Sequence, residues 1–127
     1  MGNIIVAFSK PQDGRNIRNI LVKHGIQVTA SCTSGAQVLA STGDLRSGIV
    51  VSGYRFGDMT CRHLADQLPP GFDLLLIASP SRWSGEAMGR IVWLPAPFKM
   101  GDLVSTVRMI EQTQAEKRRR MRRQPPQ

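Results

Sequence analysis

The sequence predicts an α/β domain built on a doubly wound, five-stranded parallel sheet. Three observations point there. Five short apolar runs, at 3–8, 26–31, 49–51, 72–78 and 90–94, punctuate the chain. The segments between them carry helical rather than strand periodicity. The five strand-then-helix units follow one another within about 120 residues, a pattern that favours parallel strands joined by right-handed crossover helices.

Each element has its own local reason. Asn3 to Phe8 is continuously apolar after its first residue, as suits a strand covered on both faces. Ser9-Lys10-Pro11 interrupts it, and Pro11 fits the first turn of a helix. Ile17, Ile20, Leu21 and His24 recur at i, i+3, i+4 and i+7, one face of that helix, and Gly25 ends it as a C′ glycine. A second strand is expected from Ile26 to Ser31, where Val28 and Ala30 alternate with polar neighbours. Ser34 is a candidate cap for a helix through Val38 and Leu39 to Ser41.

Ile49-Val50-Val51 forms the third strand, followed by Ser52-Gly53 and the loop Tyr54-Arg55-Phe56-Gly57. Asp58 is the expected N-cap of a helix carrying Leu64 and Leu68, stopped by Pro69-Pro70-Gly71. Phe72 to Ala78 is the fourth strand. Ser79 to Gly89 is weakly patterned and is expected to hold a short helix. Arg90 to Leu94 is the fifth strand, and Pro95-Ala96-Pro97-Phe98 a stiff turn. A last helix starts near Met100, with Leu103, Val107 and Ile110 on one face. The economical arrangement of these units is the flavodoxin-like sheet, strand order 2-1-3-4-5.

Charge and composition narrow the function. The 127 residues are 41% apolar and 20% charged, enough for a packed core. No run approaches the ~18 apolar residues of a spanning helix, and the start lacks the basic flank of a secretion signal. A cytoplasmic location is the expectation. The net charge is +8, but Lys117, Arg118, Arg119, Arg120, Arg122 and Arg123 supply six of the 17 basic residues. Setting these aside leaves 11 basic against 9 acidic residues. Outside that run the chain is therefore close to neutral, and the positive charge belongs to a tail, residues 116–127, that follows a body of residues 1–115. Cys32 and Cys61, with His24 and His63, make no zinc-ligand spacing, so no metal site and no cofactor is expected, and both cysteines are expected reduced. No Ser-His-Asp spacing, glycine-rich phosphate loop or paired acids suggest an enzyme.

In such a sheet the working site lies beyond the carboxyl ends of the strands. There the sequence places Phe8, Ser9 and Lys10, then Ser52, Gly53 and Tyr54, then Ala78 and Ser79, then Pro95, Ala96 and Pro97. Residues 3 to 113 resemble a response-regulator receiver domain. Lys10-Pro11, Phe56-Gly57-Asp58-Met59 and Pro95-Ala96-Pro97-Phe98 fall where receivers have, respectively, an acid followed by proline, the loop after the third strand and a Lys-Pro-Phe turn. The resemblance implies a signalling module of the two-component phosphorelay class, working through protein contacts.

The departures from that family are as informative. Its two magnesium-holding acids fall at Phe8 and Ser9, its phospho-accepting aspartate at Gly53, its hydroxyl residue at Ala78 or Ser79, and its lysine at Ala96. Phosphoryl transfer to a carboxylate needs the carboxylate and a divalent cation held by oxygen ligands. These residues supply neither, so the resemblance implies a degenerate pseudo-receiver without catalytic residues. The alternative is a conventional receiver that uses a non-standard acid.

In receivers the surface of the last strand and last two helices commonly mediates dimerisation, which makes Trp93, Leu103 and Val107 candidate switch or interface residues. Trp93 equally suits an aromatic covering the sheet edge, and Trp83 equally suits an exposed partner anchor or a half-buried ring. The tail reads either as a solvated or disordered helix end, or as a contact for phosphates of nucleic acid, salt-sensitive and unspecific in sequence. It also resembles the arginine-rich junction at which some receivers continue into an RNA-binding ANTAR domain that acts in transcription antitermination. That resemblance implies that 116–127 open a C-terminal output domain.

Overall fold

A computed structural model of the protein describes residues 3–83 and 89–123, with side chains in the last helix described as far as Arg120. Its elements run β1 (Asn3–Ala7), α1 (Pro11–Lys23), β2 (Ala30–Cys32), α2 (Gly35–Thr42), β3 (Gly48–Ser52), α3 (Cys61–Gln67), β4 (Phe72–Ala78), β5 (Ile91–Pro95) and α4 (Met100–Arg123). The five strands form one parallel sheet in the order β2-β1-β3-β4-β5, as the alternating pattern predicts.

Strand alternation divides the core in two. Ile5, Ala7, Val50, Leu74 and Leu76 face one side, where Val38 of α2 and Cys61, Leu64 and Ala65 of α3 cover them. Ile4, Val6, Ile49, Val51 and Leu75 face the other, against Ile17 and Leu21 of α1 and Leu103, Val107 and Ile110 of α4. Covered on both faces, β1 and β3 have no use for polar positions, which is why they read as unbroken apolar runs.

Three local expectations are corrected. β2 begins at Ala30, four residues late. The N–H groups of Gly25 and Ile26 bond back to the carbonyls of Val22 and Leu21, at 3.0 and 2.9 Å, closing α1 with Gly25 at φ 80°. Ile26 thus terminates the helix and buries its side chain against it instead of opening the ladder. His24 leaves the apolar face: it is exposed at the C-cap, its Nδ1 2.8 Å from the Ile20 carbonyl. The third correction concerns Asp58. Thr60 caps α3, its hydroxyl accepting from the N–H of His63. Asp58 acts elsewhere, as described below.

The helix expected within 79–89 falls partly on 84–88, outside the described residues. Before them, the N–H groups of Arg82 and Trp83 bond to the Ser79 carbonyl, forming a turn. No helix among the described residues is long and apolar enough to cross a membrane.

Candidate functional site

β1, β3, β4 and β5 all end on one side of the sheet, and the segments leaving them enclose a cleft of about 490 Å³. Phe8, Ser9, Gly53, Ala78, Ser79 and Ala96, the six residues singled out by position, all line it. Tyr54, Arg55, Ile77 and Phe98 complete much of the wall. The sheet topology brings them together because adjacent parallel strands end at the same level.

The floor is apolar. Phe8 is 8% exposed, and its ring lies across Gly53, where a Cβ would stand 3.2 Å from Phe8 Cδ2 and 3.5 Å from Cε2. The ring therefore occupies the space into which a side chain at 53 would project. The rim carries charge of the opposite sign to a cation site: Lys10, Arg55 and Arg82, with Asp13 the one acid lining the cleft among the described residues. A magnesium ion takes carboxylate oxygens and waters, and one carboxylate facing three cations does not fit it. Among the described residues no group of three histidine, cysteine or acidic side chains could hold a metal.

Asp58 is not a cleft residue. Its carboxylate accepts the N–H groups of Gly35 at 3.0 Å and Ala36 at 2.9 Å, the first two donors of α2. Ser34 accepts the third, from Gln37, and the Val38 N–H then opens the helical ladder on the Ser34 carbonyl. Three of the donors that a helix start leaves open are thus satisfied, two of them from another loop. Those two bonds hold the Asp58 carboxyl below the usual carboxylate range. Met59 seals the joint, lying where a Cβ on Gly35 would fall.

The comparisons are structural. Neither a protein-family model nor a curated protein matches the sequence. Solved structures do match the chain. A CheY-like response regulator receiver domain protein from Methanospirillum hungatei superposes with a TM-score of 0.77 at 16% identity, covering 91% of this chain and 98% of its own. An uncharacterized protein from Neptuniibacter caesariensis gives 0.83 at 16% identity, covering 98% and 97%. The chemotaxis response regulator CheY4 of Vibrio cholerae gives 0.68 at 20% identity, covering 87% and 98%. The fold is that of a CheY-like receiver domain.

On this receiver fold the three candidate interface residues take up positions of a different kind. Leu103 and Val107 have no exposed surface; both pack α4 onto the sheet, so the expectation that they meet a partner is corrected. They belong to the same apolar stripe that made α4 recognisable, and a stripe that builds the core is not free for an interface. Trp93 is half-buried, its indole N–H donating to the Ala78 carbonyl at 3.0 Å while the ring packs on the α2–α3 side. Trp83 is 3% exposed, set edge-on to Tyr54 with ring centroids 6.5 Å apart and with the Arg62 guanidinium 4.8 Å from its centroid. It is a core residue, not an exposed anchor.

The tail is helical through Arg123, continuous with α4, so the helix runs across the expected boundary at 115/116. Lys117, Arg118, Arg119 and Arg120 are exposed. The side chains of Arg122 and Arg123 lie outside those described. One residue of this region escaped the sequence reading. Gln114 is 7% exposed, and its Nε2 lies 2.9 Å from the Gly48 carbonyl, 3.2 Å from the Gly71 carbonyl and 2.8 Å from Asp73 Oδ2. It extends the spacing Leu103, Val107, Ile110 by one more turn, the available signal, but a polar residue there breaks the apolar pattern.

Proposed function

We propose that the protein is a signalling module of the response-regulator receiver class that works without phosphorylation, regulating an output domain or partner through protein contacts. One observation carries this reading: the Phe8 ring packed over Gly53, at the two positions where the resembled family sets a metal-binding acid and the phospho-accepting aspartate. An aromatic ring and a hydrogen atom provide no nucleophile and no hard oxygen ligand. The chemistry of the cleft is consequently that of a packing and recognition surface rather than a catalytic centre.

The competing reading needs another acid at the cleft. Asp13 lines it but sits in the first turn of α1, and the Asp58 carboxylate is engaged on α2. Neither stands at the end of β3 itself, where the family's nucleophile stands. By the second resemblance, the basic run leads into an RNA-binding antitermination domain, and the module controls that output.

The test is incubation of the full chain with acetyl phosphate, or with beryllofluoride, in the presence and absence of magnesium. Intact-mass spectrometry is expected to show no covalent adduct, and amide NMR shifts around 53–58 are expected to be unchanged. A magnesium-dependent adduct mapped to any aspartate would overturn the reading.

A further inference from the structure

At the opposite end of the sheet, below the amino ends of β3, β4 and β5, lies a second hollow of about 420 Å³. Arg46 and Arg90 reach it from the segments entering β3 and β5, and Lys117 and Arg118 reach it from α4. Among the described residues Asp73 is the one acid lining it, and that carboxylate accepts from Gln114. Four cations from three separate parts of the chain thus converge on one concavity. From the linear sequence the body is close to neutral, but two of its arginines are gathered here beside the tail.

The hollow is also partly pre-formed. One Arg90 nitrogen donates to the carbonyls of Leu68 and Pro69, at 2.7 and 2.9 Å, which anchors the guanidinium while its other donors remain for a ligand. Arg118 donates to the Ser47 hydroxyl at 3.2 Å. Gln114, bonded to the strand ends one turn earlier, fixes where the basic run begins. Side chains held in this way lose less freedom when an anion arrives.

We propose that this hollow and the exposed face of α4 beside it form one composite groove for the phosphates of a nucleic-acid strand. The guanidinium fork suits phosphate oxygens. Arg119 and Arg120, exposed in the same turn of α4, extend the positive charge around the helix beside the hollow, so the complementary ligand is an extended polyanion and not a single small ion. Contacts of this kind read the backbone, and binding is therefore indifferent to sequence and steep in salt. The proposal is independent of whether the cleft at the other end accepts phosphate, and it differs from binding by the tail alone in requiring the body's arginines.

Fluorescence anisotropy with the full chain and a labelled, mixed-sequence single-stranded RNA tests it at about 50 and 200 mM salt. Arg46 is exposed, and its side chain forms no hydrogen bond among the described residues, so Arg46→Gln is expected to keep the wild-type urea midpoint. The same variant is expected to weaken RNA binding roughly threefold to tenfold at the lower salt and to make the slope of log K against log salt shallower by ~0.7. Arg46→Lys is expected to recover most of the affinity, and Arg118→Gln to resemble Arg46→Gln. Wild-type affinity and slope in Arg46→Gln would overturn the composite groove. So would absence of RNA binding by the wild-type chain, or binding to phosphatidylserine vesicles with none to RNA.

Discussion

The Phe8 ring covers Gly53 so closely that a single added methyl group would sit 3.2 Å from Phe8 Cδ2. The two residues directly follow neighbouring strands, β1 and β3: the Gly53 N–H bonds to the Ala7 carbonyl at 3.3 Å, one residue before Phe8. The large side chain at one position and the absence of one at the other are thus a single packing solution. Residue 53 is small because residue 8 is large.

That relationship predicts non-additive stability. Phe8→Ala empties most of a buried ring and is expected to cost about 3–5 kcal/mol. Gly53→Ala crowds the ring and is expected to cost about 1–3 kcal/mol in the wild-type background. With Phe8 truncated the added methyl has room, so Gly53→Ala becomes nearly neutral. Urea unfolding of the four proteins should show a coupling of about 0.5–3 kcal/mol. Strict additivity would mean that the ring does not occupy this space.

Asp58 ties the loop after β3 to the start of α2, and this tie depends on charge. Its folded carboxyl titrates below the ordinary carboxylate value because the Gly35 and Ala36 N–H groups favour the ionised form. The contribution is therefore present above that ordinary value and is lost as pH falls through the lower folded value. Asp58→Asn is expected to have a lower urea midpoint than wild type at pH 7, with the gap closing as pH falls through the lowered folded value. Replacing Thr60, the cap of α3, lowers the midpoint without this pH dependence.

Gln114 holds α4 to the sheet ends with one amide nitrogen near three acceptors. Two hydrogens cannot serve three acceptors fully, so at least one bond is shared. Gln114→Leu keeps much of the bulk and removes the donors, leaving the Gly48 carbonyl without this partner inside the protein. A loss of about 1–3 kcal/mol is expected, read as a lower urea midpoint. Hydrogen exchange along 115–120 should accelerate more than along 103–110, because Leu103, Val107 and Ile110 still hold the earlier turns.

Much of the fold was legible because burial leaves a periodic trace. Runs such as 72–78 and stripes such as Leu103, Val107 and Ile110 record which positions face a core, and the alternation of strands with helices restricts how the units connect. Local chemistry was legible too where donor and acceptor lie a few residues apart, as at Ser34 and Gly25. The position of the cleft followed from the same reasoning, since strand ends are visible in the chain.

The rest depends on neighbours distant in sequence. Asp58 looks like a cap for the helix that follows it, and only the packing of two loops shows that it serves a helix 23 residues earlier. Leu103 and Val107 cannot be assigned to core or interface by periodicity, because both burials give one stripe. Arg46 and Arg90 are unremarkable singly; the order of the strands makes them neighbours of Lys117 and Arg118. The sequence by itself determined the periodic burial, hence the sheet, its helices and which residues stand at the strand ends. Only the tertiary structure decided which charges and rings meet, because hydrogen bonds, packing and Coulomb attraction act over a few ångströms of space however many residues lie between.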